Sequence, residues 1–156
     1  GFTDCPLQSG STRVYTIDVG TDQLAWSLRQ APRVAVQVTF HVRDLTRDLI
    51  PQAIDWIVVD VSFISLTQAL PPLFPFLKEG AGLLALVKPQ FEVGQARIGK
   101  HGVVGDVADQ EWAVEQIAEL LSAAGFAPTL PACPAGIKGP SGNQEYFLLV
   151  PKRTEN

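Results

Sequence analysis

The sequence has no methionine, only two cysteines, no long apolar run and no excess of positive charge. Cys5 and Cys133 stand far apart and form no metal-ligand spacing, so no metal site is expected and a reduced, cytoplasmic setting suits them. The longest apolar stretches, such as residues 82–87, are strand-sized. No signal peptide or membrane-spanning run is found, and no membrane partner is expected. A net charge of −4 supplies no overall attraction to nucleic acid. Binding of that kind would have to come from a local basic patch or from another domain. The missing initiator methionine, with first residues that already read as the middle of a fold, leads us to expect a fragment or processed product.

What is present is the composition of one domain: 156 residues, 46% hydrophobic and 18% charged, enough for one core. The chain is organised around residues 56–66, WIVVDVSFISL. An apolar, β-branched run there reads as a buried parallel strand, and it breaks on one carboxylate, Asp60. In open α/β sheets ligands bind outside the carboxyl ends of strands, which makes Asp60 a candidate site residue. It could equally cap the helix that follows.

In chain order, residues 2–10 read as a short helix ending on a glycine, and residues 13–19 as a strand tipped by Asp18. An acidic residue there can accept hydrogen bonds from a ribose diol, or it can be a solvated turn residue. Residues 22–30 read as a helix with Trp26 on its apolar face. Residues 34–38 read as a strand, followed by a polar loop with His41 and Arg43. Residues 65–77 make a helix that Pro71 and Pro72 kink or divide. The strand at 82–87 ends on Lys88, immediately before Pro89. A lysine there calls for an ion pair with a neighbouring strand or marks a catalytic amine. Residues 94–105, with four glycines among Arg97, Lys100 and His101, form a long loop of the kind used as a lid or for binding. Residues 106–124 form an amphipathic helix with Trp112, Val114, Ile117, Leu120 and Leu121 toward the core and Gly125 as its stop. Strands at 126–133 and 144–150 flank a loop at 135–143.

The alternation of strands and helices argues a parallel, doubly wound α/β sheet, and the last two strands, with no helix between them, should form an antiparallel hairpin. If the final strand lies beside the Lys88 strand, Glu145 reaches the edge that carries Asp60 and Lys88. Three residues on consecutive strands then fall within about 10 Å of one another.

The segments GFTDC (1–5), VYTIDVGTDQLAW (14–26), VVDVSFISL (58–66), LVKPQFEVG (86–94) and IKGPSGNQEYFL (137–148) resemble the methyltransferase domain of TlyA-type, haemolysin A-like ribosomal RNA 2′-O-methyltransferases, relatives of the FtsJ group. The resemblance covers the chain to about residue 150 in motif order. It implies a Rossmann-like sheet that binds S-adenosyl-L-methionine and a Lys-Asp-Lys-Glu tetrad, whose last three members would be Asp60, Lys88 and Glu145. Gly1, Phe2 and Thr3 would end the glycine-rich loop under the methionine portion of the cofactor. Asp18, with Val19 beside it, would hold the ribose; His41 and Val42 would lie near the adenine, and Asp60 would border the cofactor. Arg97, Lys100, His101 and Lys138 would touch phosphates of ribosomal RNA at the cleft mouth, or else belong to ordinary solvated loops.

The resemblance also implies parts upstream of Gly1: the first, central strand, most of the glycine-rich loop, the tetrad's first lysine and an S4 RNA-binding domain. Residues 1–150 are thus expected to be an N-terminally truncated methyltransferase domain and 151–156 a polar tail. His41 stands where the family would have asparagine. The implied reaction is in-line methyl transfer to a ribose 2′-hydroxyl of ribosomal RNA, with Lys88 as the base. Burial and a neighbouring cation favour a neutral amine and Asp60 and Glu145 oppose it, so this fragment alone is expected to be weak or inactive. A nicotinamide-dependent dehydrogenase would share the sheet and the ribose acid, but this sequence places no hydride-transfer His or Tyr at the cleft. A membrane-active haemolysin would need an amphipathic or spanning segment. A non-catalytic cofactor- or RNA-binding fragment is the remaining alternative.

Overall fold

The computed structural model describes residues 3–18, 27, 30–38 and 41–153. The chain divides into two compact units, Gly1–Ala53 and Ile54–Asn156. Gly1, Phe2, Val19, Trp26 and most of the helix expected at 22–30 lie outside the described residues, although Ser27 is helical.

In the first unit, helix α1 (Asp4–Gln8) is closed by Gln8 Nε2 donating to Asp4 Oδ2 at 2.6 Å. It ends before Gly10, whose φ of 92° turns the chain into β1 (Val14–Asp18). β1 runs parallel to β2 (Val34–Val38) in unbroken register, from Val14 opposite Val34 to Asp18 opposite Val38. The loop beyond β2 contains a short 3₁₀ turn, Val42–Asp44, not resolved by the sequence reading. Leu7, Val42, Leu45 and Ile50 are buried in this unit.

The second unit holds a four-stranded sheet in the order β3 (Ile54–Val59), β4 (Leu77–Val87), β6 (Tyr146–Val150), β5 (Thr129–Pro134). β3 and β4 are parallel, whereas β6 is antiparallel to both β4 and β5. The last strand thus lies between β4 and β5, beside the strand that ends at Lys88. The two prolines divide the segment between β3 and β4, as expected: helix α2 (Leu66–Ala69) gives way to a 3₁₀ stretch, Pro71–Phe76. Helix α3 (Val107–Ala123) starts on Asp106, whose Oδ1 accepts the Ala108 N–H at 2.9 Å. It stops at Gly125, with φ 90°, while the Phe126 N–H donates back to the Leu121 carbonyl at 2.9 Å.

That last bond explains why β5 starts at Thr129 and not at 126. The Phe126 amide is consumed in capping α3, and its ring packs on Phe74 at 4.9 Å. Along α3 the buried residues are Gln110, Ala113, Val114, Ile117, Ala118 and Leu121. Trp112 and Leu120, expected toward the core, are only half-buried.

α3 covers one sheet face, that of Leu83, Ala85, Val87, Leu148 and Val150, all nearly inaccessible. The opposite face carries Trp56, Val58 and Leu149, respectively 47%, 38% and 38% exposed. Two expectations are corrected here. β3 is not buried on both faces, because it is the outer strand of its sheet and α3 lies on the other side. Nor do the described strands make one sheet: β1 and β2 pair with each other, and the remaining four form a second sheet. Among the described residues no helix is long and apolar enough to cross a membrane.

Trp56 stands opposite Gly82 in the ladder, and its indole occupies the space where a Cβ at Gly82 would lie. Gly82→Ala should therefore lower the unfolding free energy by about 1–3 kcal/mol in a denaturant titration. Adding Trp56→Leu should recover part of that loss, whereas additive losses would contradict the packing described.

Candidate active site

Asp60 follows the last residue of β3 and Lys88 the last of β4, so the parallel pairing brings both to one sheet edge. Lys88 Nζ lies 2.8 Å from Asp60 Oδ1 and donates to Ser62 Oγ at 2.9 Å. The lysine side chain is only 13% exposed, against 38% for the aspartate. Such short, charge-assisted contacts fix the amine in place, and losing Asp60 would strand a largely buried charge. Because β6 is antiparallel, its first residue, Tyr146, pairs with Val87 and puts Glu145 at the same edge. Glu145 precedes the strand instead of lying in it, and its carbonyl accepts the Ala135 N–H at 2.8 Å. Its side chain is 8% exposed and accepts from Gln90 Nε2 at 3.3 Å. Asp60, Lys88, Glu145 and Lys138 line one cleft of about 430 Å³, with Leu86 and Phe147 among its apolar walls.

The five residues 88–92 grip this edge from several directions. Pro89–Phe91 is a 3₁₀ turn that starts directly after Lys88. Gln90 reaches Glu145, the Phe91 ring lies 5.1 Å from that of Phe63, and Glu92 binds the start of α2. Glu92 Oε2 accepts from Ser65 Oγ at 2.5 Å and Oε1 accepts the Leu66 N–H at 2.8 Å. Burial pushes the Glu92 carboxyl above its ordinary range, against the pull of the Leu66 and Ser65 hydrogen bonds. Phe63 has φ 63° and is 90% exposed, a strained backbone carrying an open aromatic ring beside the cleft residues.

A second set of contacts shapes the other wall. A Cβ at Gly139 would stand 2.6 Å from Glu145 Oε1, so the glycine lets the loop approach that carboxylate without displacing it. Asn143, 1% exposed, accepts the Val104 N–H through Oδ1 and donates through Nδ2 to the Gly102 carbonyl, both at 2.9 Å. Gln110 Nε2 donates to the Val104 carbonyl at 2.8 Å, and the Tyr146 hydroxyl donates to Gln110 Oε1 at 2.6 Å. The long loop at 94–105 is therefore tied down between α3 and the segment that carries Glu145.

The basic residues expected to meet phosphates separate. Lys138 lines the cleft. Arg97 instead turns to α3, 3.4 Å from Asp109 and stacked over the Trp112 ring at 4.6 Å. Lys100 and His101 sit in an exposed turn, where His101 has φ 62°. Of the residues expected at the cofactor, Thr3 Oγ1 lies 3.5 Å from Thr16 Oγ1, Asp18 is the last residue of β1, and His41 Nδ1 accepts the Arg43 N–H at 3.3 Å. Val42 is buried. Ser62, Gln90, Glu92, Gly139 and Asn143 were not singled out from sequence. Their signal was position: each lies within a few residues of Asp60, Lys88 or Glu145.

The family profile of FtsJ-like methyltransferases matches residues 1–152. Over 156 residues the chain is 42% identical to the 16S/23S rRNA (cytidine-2′-O)-methyltransferase TlyA of Mycobacterium tuberculosis, an alignment covering 99% of this chain and 58% of that protein. It is 35% identical over 148 residues to Hemolysin A of Brachyspira hyodysenteriae, covering 94% of this chain and 61% of the relative. A solved Lactococcus lactis structure, described as a candidate hemolysin, superposes with a TM-score of 0.89 at 37% identity over 97% of this chain and 73% of that one. The chain thus spans 58% and 61% of the lengths of these two curated relatives. With its mixed α/β fold and the cleft at the Asp60–Lys88 edge, the chain belongs to the FtsJ-like methyltransferase family.

Proposed function

We propose that this chain is the catalytic domain of an enzyme that methylates a ribose 2′-hydroxyl of ribosomal RNA, using S-adenosyl-L-methionine. The observation that carries the reading is Lys88 held against Asp60 at 2.8 Å, in one cleft with Glu145. The M. tuberculosis relative bears the name of an rRNA cytidine-2′-O-methyltransferase, which supports the acceptor. Asp18 at the carboxyl end of β1 fits a carboxylate that binds the cofactor ribose. When bound, the cofactor supplies a methyl group on a sulfonium, ready for in-line displacement.

A ribose hydroxyl is a weak nucleophile, so its proton must leave as attack proceeds. Lys88 Nζ is the basic atom of the cleft, and Asp60 and Ser62 hold it in one orientation. For Nζ to take the hydroxyl proton, the ammonium must first give one up. A second cationic side chain near the amine serves that step. We assign that role to the first lysine of the tetrad and place it in residues outside this chain, together with the strand that completes a Rossmann-like sheet and an S4 domain; the greater length of the relatives supports this. Glu145, buried beside Gln90, provides the opposite wall of the acceptor pocket. The exposed ring of Phe63 offers a face on which an unstacked base can rest, as single-stranded RNA recognition requires. Lys138 is the cleft residue suited to a phosphate.

Labelled methyl transfer from S-adenosylmethionine to ribosomal subunits, with the protein at its full natural length, tests the reading. Nuclease-sensitive label should appear with the wild type and fall by at least about 10²-fold in Lys88→Ala. Cofactor bound without label above background would overturn the acceptor assignment. Phe63→Ala should raise KM for the RNA about tenfold with kcat nearly unchanged, since base stacking is worth about 1–3 kcal/mol. Lys138→Ala should flatten the salt dependence of RNA binding by a slope of about 0.7–0.9, whereas Arg97→Ala should leave that slope unchanged.

A further inference from the structure

Residues 60–65 connect β3 to α2 and are held at both ends by the segment that follows β4. At the first end Lys88 grips Asp60 and Ser62. At the second end Glu92 grips Ser65 and Leu66, through two bonds that span 27 and 26 residues of sequence. Between these grips stands Phe63, at φ 63°, a conformation that a non-glycine residue holds only when its surroundings enforce it. Glu92 is largely shielded, and desolvation alone makes a carboxylate a poor choice for that position. Its two oxygens are used by two donors, one of them the first backbone N–H of α2, which no other residue of the helix can satisfy.

We propose that Glu92 is a positioning residue for methyl transfer: by clamping Ser65 and Leu66 it sets the 60–65 loop so that Asp60 and Ser62 present the Lys88 amine to the acceptor. The proposal rests on the methyltransferase reading above and extends it to a residue that does not line the cleft. Glu92 acts through the loop, so its loss displaces Asp60 and Ser62, and Phe63 with them, while Lys138 and Glu145 on the other side of the cleft stay in place. An ångström-scale displacement of a reacting group is enough to lower turnover on the order of 10²-fold.

The test compares Glu92→Ala, Glu92→Gln and Ser65→Ala with the wild type in the full-length protein, reading methyl-transfer kinetics on ribosomal subunits and amide hydrogen exchange over residues 60–66. Glu92→Ala should lower kcat by roughly 10- to 100-fold, raise KM for RNA by no more than the about tenfold cost of losing Phe63, leave KM for the cofactor within about threefold, and deprotect the Leu66 amide. Glu92→Gln should restore most of kcat and the protection, because its Oε1 still accepts from Leu66 and its amide can donate to Ser65 Oγ. Ser65→Ala should fall between the two. A wild-type kcat in Glu92→Ala, or Glu92→Gln as impaired as Glu92→Ala, would overturn the positioning role. Unchanged exchange in Glu92→Ala would overturn it whether or not the wild type transfers methyl groups, whereas a wild type without turnover would count against the methyltransferase reading alone.

Discussion

A lysine at the end of a strand whose preceding residues are sealed from water needs a partner, and in this protein that need organises the site. Leu83, Ala85 and Val87 are inaccessible, and Lys88 emerges from them with little solvent of its own. Burying an ammonium without compensation costs several kcal/mol, so the Asp60 carboxylate and the Ser62 hydroxyl are conditions for the strand to end there at all. Meeting those conditions fixes the loop after β3 against the turn after β4. The same turn carries Gln90 to Glu145 and Glu92 to the start of α2. Two strand ends, a loop, a helix start and a buried acid are thereby tied to five consecutive residues.

Sheet order does the rest. Had the last strand been added at the outside of the sheet, Glu145 would stand two strands away from Lys88. Inserted between β4 and β5 and running antiparallel, it starts where β4 stops. The loop before it can then lie on Glu145, because Gly139 has no Cβ, and Asn143 locks that loop to the segment around Val104. Tyr146 ties the strand to α3 through Gln110, and burial raises the pKa of its phenol, with the Glu111 charge acting in the same direction, which keeps the hydroxyl a donor. Asn143, Gln110 and Tyr146 thus find their partners across several elements behind the cleft, as buried polar groups usually do.

Much of this was legible in the residues. The Asp60 break in an apolar run, Lys88 before a proline, and a final strand without a preceding helix bring three charged residues to one edge once that strand is set beside the Lys88 strand, a placement the residues offered only as a condition. The division of the segment after Leu66 by Pro71 and Pro72 was equally legible, since proline carries its own backbone rule. What could not be read were features decided by tertiary partners. The apolar run at β3 looked buried on both faces because periodicity reports composition, not which face a helix covers; Trp56 and Val58 lie on the uncovered side. The contacts of Arg97 with Trp112 and Asp109 leave no local trace either. Glu92 has no signal of its own in the sequence, since a bond to Leu66, 26 residues away, leaves no local trace.

The central claim is that the cleft at the Asp60–Lys88 edge activates a ribose hydroxyl and not a base nitrogen or carbon. Alkali separates the two directly, because cleavage of an RNA linkage requires the neighbouring 2′-hydroxyl and a methyl group on that oxygen blocks it. Ribosomal RNA labelled by the full-length protein would be hydrolysed to completion in alkali and its products resolved by size. Label in alkali-stable dinucleotides is the expected result. Label confined to mononucleotides would place the methyl group on a base and contradict the mechanism built on Lys88.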